Sequence, residues 1–192
     1  MTKVLVINAN PKASSLCQSL ADQYAAVATG QHDVEQINIR DLDFKVSLDE
    51  GYDSVMPLEP DLVALQKKIQ WAEHLVIVSP VWWGTIPAKF KGALDRTFLP
   101  GFAFKYIEGK STPEKLLKGR TSELIITLDS PPFWYRYIQG DVIYKHLKHT
   151  VLSFTGIKNT SSTYFGPVIS ADPNKREAWL KKVAQLANHI RS

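Results

Sequence analysis

Lys3-Val4-Leu5-Val6-Ile7, stopped by Asn8-Ala9-Asn10-Pro11, is the stretch that decides the fold. A run with no polar alternation is buried on both faces, as strands inside a parallel sheet are, and its polar stop opens a loop. A helix follows: Leu16, Leu20, Tyr24 and Val27 recur at helical spacing after the cap candidates Ser14 and Ser15, with Gly30 as its stop. Residues 34–39 alternate apolar and polar, which predicts an edge strand with one wet face, and residues 41–60 are irregular and acidic. Asp61 then caps a helix running to about Ala72, with Leu62, Leu65 and Ile69 on one face, and residues 74–78 form a second unbroken apolar run ending at Ser79-Pro80.

The alternation continues. Ile86-Pro87 opens a helix with the apolar stripe Phe90, Leu94 and Phe98, ended by Pro100-Gly101. After a loop containing Lys and Gly, residues 123–128 read as a third unbroken strand, stopped by Asp129-Ser130-Pro131-Pro132 and followed by an aromatic loop, Phe133 to Tyr137. Residues 142–152 read as helix, 160–165 as strand and 173–190 as an amphipathic helix. Strands alternating with helices give an α/β protein with a doubly wound, five-stranded parallel sheet of order 2-1-3-4-5 and helices on both faces. Its ligand crevice is expected where the loops leave the first, third and fourth strands.

Composition narrows the function. The chain has 192 residues, 44% hydrophobic and 22% charged, with 10 Gly, 11 Pro and one Cys, which excludes disordered, collagen-like and disulfide-scaffold classes. The length predicts one domain over residues 1–192. The net charge of +4 is dispersed, and Lys67-Lys68, Lys115, Lys118 and Lys181-Lys182 read as solvated faces, not as a nucleic-acid stripe. A mildly positive field still helps to draw in an anionic cofactor. The opening residues lack a secretory pattern, and no apolar run approaches the roughly 18 residues of a membrane span, so a cytoplasmic protein is expected, in keeping with a single thiol at Cys17.

The three loops carry the functional signal. Residues 8–17 are rich in small polar side chains and enter a helix N-terminus, where unpaired N–H groups and the helix dipole favour a phosphate. In Pro80-Val81-Trp82-Trp83-Gly84-Thr85-Ile86-Pro87 both hydrophobic periods stop before the Trp pair, so a planar ligand stacked there, a hydrophobic lid or an oligomer contact all remain open. Thr127-Leu128-Asp129-Ser130 offers backbone donors and short polar side chains that would orient a ring carrying carbonyls, or else a plain turn ended by Pro.

The segment from Pro80 through Ala88-Lys89-Phe90-Lys91-Gly92-Ala93-Leu94-Asp95-Arg96 resembles the signature of the flavodoxin-like NAD(P)H:quinone oxidoreductases. Gly101-Phe102-Ala103-Phe104 resembles the stretch that follows it in those enzymes, and Asn10-Pro11 with Ser15-Leu16-Cys17 resembles their phosphate loop. The resemblance implies FMN, with FAD as the longer alternative, reduced by NADPH or NADH and reoxidised by a quinone-like acceptor in the same place. Asn10, Ser15, Leu16 and Cys17 would then hold the phosphate, Pro80, Val81, Trp82, Trp83 and Gly84 would line the isoalloxazine, and Thr127, Leu128, Asp129 and Ser130 would face its pyrimidine edge. Tyr135 and Tyr137 would stabilise charge on the flavin or acceptor. The chain departs from the family pattern at Asn10, where His is frequent, at Cys17, where Asn stands, and at Asp129-Ser130, where many members carry a Gly pair. Asp129 would repel charge on a reduced flavin unless its carboxylate is turned away. The resemblance also implies a homodimer through residues 98–104 and 133–137, and leaves two other roles: an ancillary subunit of a potassium-efflux transporter, or a one-electron carrier.

Rival chemistries lack their residues. No G-x-G-x-x-G is present, and Glu108-Gly109-Lys110-Ser111-Thr112 fails as a P-loop because Phe104 stands where the first Gly is needed. There is no G-x-S-x-G elbow, and His146 and His149, among Lys145 and Lys148, read as a solvated face with no metal expected.

Overall fold

The computed structural model describes residues 1–51 and 53–190. The first apolar run is strand β1 (Lys3–Asn8), followed by α1 (Leu16–Ala28), β2 (Asp33–Asn38), α2 (Pro60–Trp71), β3 (His74–Pro80) and α3 (Ala88–Thr97). Two short strands, β4 (Phe104–Lys105) and β5 (Glu114–Lys115), pair antiparallel within the segment expected as a loop containing Lys and Gly. Then come β6 (Thr121–Thr127), α4 (Pro132–Tyr137), α5 (Val142–Lys145), a π-helical stretch His146–Leu152, α6 (Ser153–Thr155), β7 (Lys158–Phe165) and α7 (Pro173–Ala187).

The main sheet has the order β2-β1-β3-β6-β7, all parallel, which is 2-1-3-4-5 once the hairpin strands are set aside. Alternate residues of the apolar runs feed opposite faces, as the two-residue period of a strand requires. Leu5, Ile7, Leu75, Ile77, Leu124 and Ile126 pack with Leu62, Leu65, Ile69, Phe90 and Leu147 on one face. Val4, Val6, Val76, Val78 and Ile125 pack with Leu20, Tyr24 and Val183 on the other. Helices on both faces leave the strand ends as the exposed rim, and register puts Pro80 beside Thr127 there.

Several expected boundaries move. The aromatic segment after β6 is helical, because Pro132 sits in the first turn, where a missing N–H costs nothing. Pro60 likewise starts α2 with Glu59 as its N-cap, so Asp61 does not cap the helix and instead accepts from Asp43 N–H at 2.6 Å. Ile39 leaves β2 for a short 3-10 turn, Pro87 is the N-cap of α3 and Phe98 its C-cap, and α7 stops at Ala187. Among the described residues no helix is long and apolar enough to cross a membrane.

Candidate functional site

Three loops meet at the rim beyond β1, β3 and β6. The first is shaped by successive side-chain bonds: Asn8 Oδ1 accepts from Asn10 N–H at 3.1 Å, and Asn10 Oδ1 accepts from Lys12 N–H at 3.0 Å. Ser15 is the N-cap of α1, its Oγ accepting from Gln18 N–H at 3.2 Å, so the N–H groups of Leu16 and Cys17 take no intrahelical partner. Asn10 therefore builds the loop and has its oxygen engaged. The Cys17 sulfur lies 3.2 Å from Thr127 Oγ1, and burial pushes its thiol above the usual range, so it stays protonated and packs.

The second loop is a tight turn. Trp82 N–H donates to Thr85 O at 2.8 Å and Thr85 N–H returns to Trp82 O at 3.0 Å. Trp83 at φ 49° and Gly84 at φ 82° are both left-handed, which makes this a type I′ turn with an aromatic residue where Asn or Gly is usual. A bulky side chain held in that conformation is strained, and such strain persists only when surrounding structure enforces it. Tyr135 enforces it. Its hydroxyl donates to Gly84 O at 2.8 Å and accepts from Ile143 N–H at 2.9 Å, while Val81 N–H ties the loop to Thr127 O at 2.8 Å. Tyr135 is 1% exposed and burial raises its pKa, so it is a neutral strut that positions the Trp turn.

The third loop continues β6. Leu128 N–H donates to Phe165 O and Leu128 O accepts from Val168 N–H, each at 3.0 Å. The Asp129 carboxylate accepts from Ile169 N–H at 2.9 Å. The N–H groups of Asp129 and Ser130 have no acceptor among the described residues. The charge at this departure is thus engaged, and two backbone donors are left at the strand end.

A cavity of about 230 Å³ lies where the loops converge. Of the residues expected there, Asn10, Ser15, Leu16, Cys17, Pro80, Val81, Trp82, Thr127, Leu128 and Asp129 line it, and Lys12 and Val168 join them unanticipated. Trp83, Gly84, Ser130, Tyr135 and Tyr137 do not line it. Trp83 is fully exposed on the turn, and Tyr137 projects outward on α4 with Arg136 over its ring at 5.6 Å. Lys12, Ser15, Leu16 and Val168 also line an outer groove of about 760 Å³ that carries Arg176 and Leu180 of α7. A cleft of about 890 Å³ between β7 and α7 receives none of the three loops, so its size does not make it the site.

In the segment 98–104, expected at a subunit contact, half-buried Phe98 and Phe102 pack edge to face at 6.2 Å against the core, Phe104 is buried, and Pro100 and Gly101 are exposed. Phe133, Trp134 and Tyr137 on α4 are exposed, as are Trp82 and Trp83, and the Tyr135 hydroxyl ties α4 to the Trp turn at Gly84 O. Among the described residues no group of three or more His, Cys, Asp and Glu side chains could hold a metal.

A doubly wound parallel sheet with a helix N-terminus and an aromatic turn at its switch point defines an α/β protein whose crevice lies at its strand ends. The chain belongs to the Flavodoxin_2 family of flavodoxin-like fold, whose profile matches residues 2–190. It is 33% identical over 115 residues to a Haemophilus influenzae protein described as an uncharacterized NAD(P)H oxidoreductase, covering 59% of this chain and 56% of that one. It is 27% identical over 209 residues to FMN-dependent NADH:quinone oxidoreductase 2 of Bacillus cereus, covering 98% of this chain and 96% of that one. A solved Streptococcus mutans structure superposes with a TM-score of 0.83 at 24% identity, covering 98% of this chain and 100% of the other. The chain spans roughly half the length of the first curated relatives it matches.

Proposed function

We propose that the three loops hold FMN and that the protein is an NAD(P)H oxidoreductase acting on quinone-like acceptors in two half-reactions at one place. The observation that carries this reading is the convergence of the α1 N-terminus, the Trp82 wall and the β6 loop with its free Asp129 N–H donor on one cavity. These groups fit a flavin: N–H donors at a helix start suit its phosphate, an aromatic wall suits its ring and backbone donors suit its carbonyl edge. Bound FMN would supply hydride acceptance from the nicotinamide and hydride delivery to the acceptor.

The chain's own part is positioning. The α1 N-terminus and Lys12 would anchor the phosphate, the turn braced by Tyr135 would fix the stacking wall, and the β6 loop would orient the ring edge. Burial keeps the Cys17 thiol protonated and so a poor nucleophile, and Tyr135 lies outside the cavity lining, where it would brace the turn. FAD is a second reading, favoured by the outer groove, where Lys12 and Arg176 would meet a second phosphate. A second copy of the chain would cover the exposed aromatics of α4 and the Trp turn.

The test is retention. Protein mixed with FMN and desalted is expected to keep one flavin per chain, with its tryptophan fluorescence quenched through Trp82. Complete loss of flavin on desalting, with no quenching at any FMN concentration, would overturn the reading.

A further inference from the structure

We propose that Asp129 is a positioning residue for the flavin, holding Val168 as a partition that makes the site prefer a mononucleotide over a dinucleotide. The inference rests on the flavin reading above and concerns which flavin the site keeps. Because Lys12, Ser15, Leu16 and Val168 line both the inner cavity and the outer groove, they form the neck between them. One side of the neck is the phosphate loop, fixed by its Asn turns and the Ser15 cap. The other side is Val168, in a segment after β7 that has no regular structure of its own.

That segment is held by two consecutive N–H groups. Val168 N–H donates to Leu128 O at 3.0 Å, a bond that any residue at position 128 supplies. Ile169 N–H donates to Asp129 Oδ1 at 2.9 Å, a bond that depends on the side chain at 129. The segment lies tight against the β6 loop: a Cβ on Gly166 would come within 2.7 Å of Leu128 O and 2.9 Å of Ser130 O. Val168 borders the passage from the phosphate loop toward Arg176 and Leu180, the path that the second phosphate and base of a dinucleotide would follow, and Asp129 would keep it there. A residue without an acceptor at 129 would release Ile169 and leave the Val168 N–H bond to Leu128 O to hold the segment, loosening Val168 at the neck.

FMN and FAD are titrated into flavin-free protein, wild type and the variants Asp129→Ala and Asp129→Asn, while amide exchange is followed over residues 166–171. Asp129→Ala is expected to lower the Kd for FAD about fivefold, the scale of one hydrogen bond, with the Kd for FMN changed less than twofold. The preference for FMN then narrows, and exchange at Ile169 quickens. Asp129→Asn keeps an Oδ1 acceptor and is expected to restore most of the preference and the protection. A merely structural role would weaken both flavins alike. Equal losses for FMN and FAD, or no change in either while wild type binds FMN, would overturn the partition and leave the flavin site standing. Wild-type protein that takes up neither flavin would overturn the flavin reading and the partition with it.

Discussion

Between pH 7 and pH 4 the folded chain is expected to lose about 3 kcal/mol of stability through His74 alone. His74 opens β3, is 1% exposed, and has its Nδ1 2.7 Å from Thr121 Oγ1 while Nε2 has no partner. Burial, helped by the charge of His32, pushes its pKa from 6.5 down to about 4. The unfolded chain takes up a proton near pH 6.5, whereas the folded ring refuses it until about pH 4. The full contribution is therefore present above pH 6.5 and drains away as the pH falls toward 4, with no further loss below. At about 1.36 kcal/mol for each pH unit of that window, the sum is about 3 kcal/mol. Urea unfolding of wild type and His74→Gln at pH 7, 5.5 and 4 checks it, since other titrating groups cancel in the difference. A neutral amide still able to bond Thr121 should remove most of the slope, and identical slopes in the two proteins would show that His74 is not the buried base.

Arg96→Leu is expected to cost about 3 kcal/mol, a fall in Tm of about 6–12 °C for a chain of this length. Arg96 lies on α3, is fully buried, and binds four acceptors: Lys45 O at 2.7 Å, Pro57 O at 2.8 Å, and Glu59 Oε1 and Oε2 at 3.2 and 2.9 Å. This one side chain fastens the irregular acidic segment between β2 and α2 to the helix that follows the Trp turn. Leu would leave two carbonyls and a carboxylate without their cation. Gly92, one turn earlier, shows how close the segment lies, since a Cβ there would sit 2.5 Å from Val46 O. Arg96→Lys keeps the charge but loses the fork and should fall between wild type and Leu. Thermal unfolding of the three proteins measures the series, and an Arg96→Leu protein as stable as wild type would contradict the clamp.

The sheet was legible because burial on both faces writes itself into a strand as an unbroken apolar run, and residues 3–7, 74–78 and 123–128 all became neighbouring strands. The α1 cap was equally local, resting on Ser15 alone. What stayed hidden depends on partners far along the chain. Val168 reaches the cavity through a backbone bond to Leu128, and nothing in its own neighbourhood signals a site. Lys12 sits inside the phosphate loop, where the local signal is carried by small polar residues and a single lysine looks like any solvated one. Tyr135 stands out by its type, yet its role as a strut depends on a left-handed Trp83-Gly84 turn that no sequence pattern announces. Asp129 stood out as a departure, while the direction of its carboxylate was set by Ile169, 40 residues away.

The most direct test of the account is anaerobic visible spectroscopy of the FMN-loaded protein, with NADPH or NADH added first and a small quinone second. The account expects the flavin band to bleach with the nicotinamide and to return when the quinone is added. A retained band that neither nicotinamide bleaches would contradict it, leaving a protein that holds flavin without turning it over.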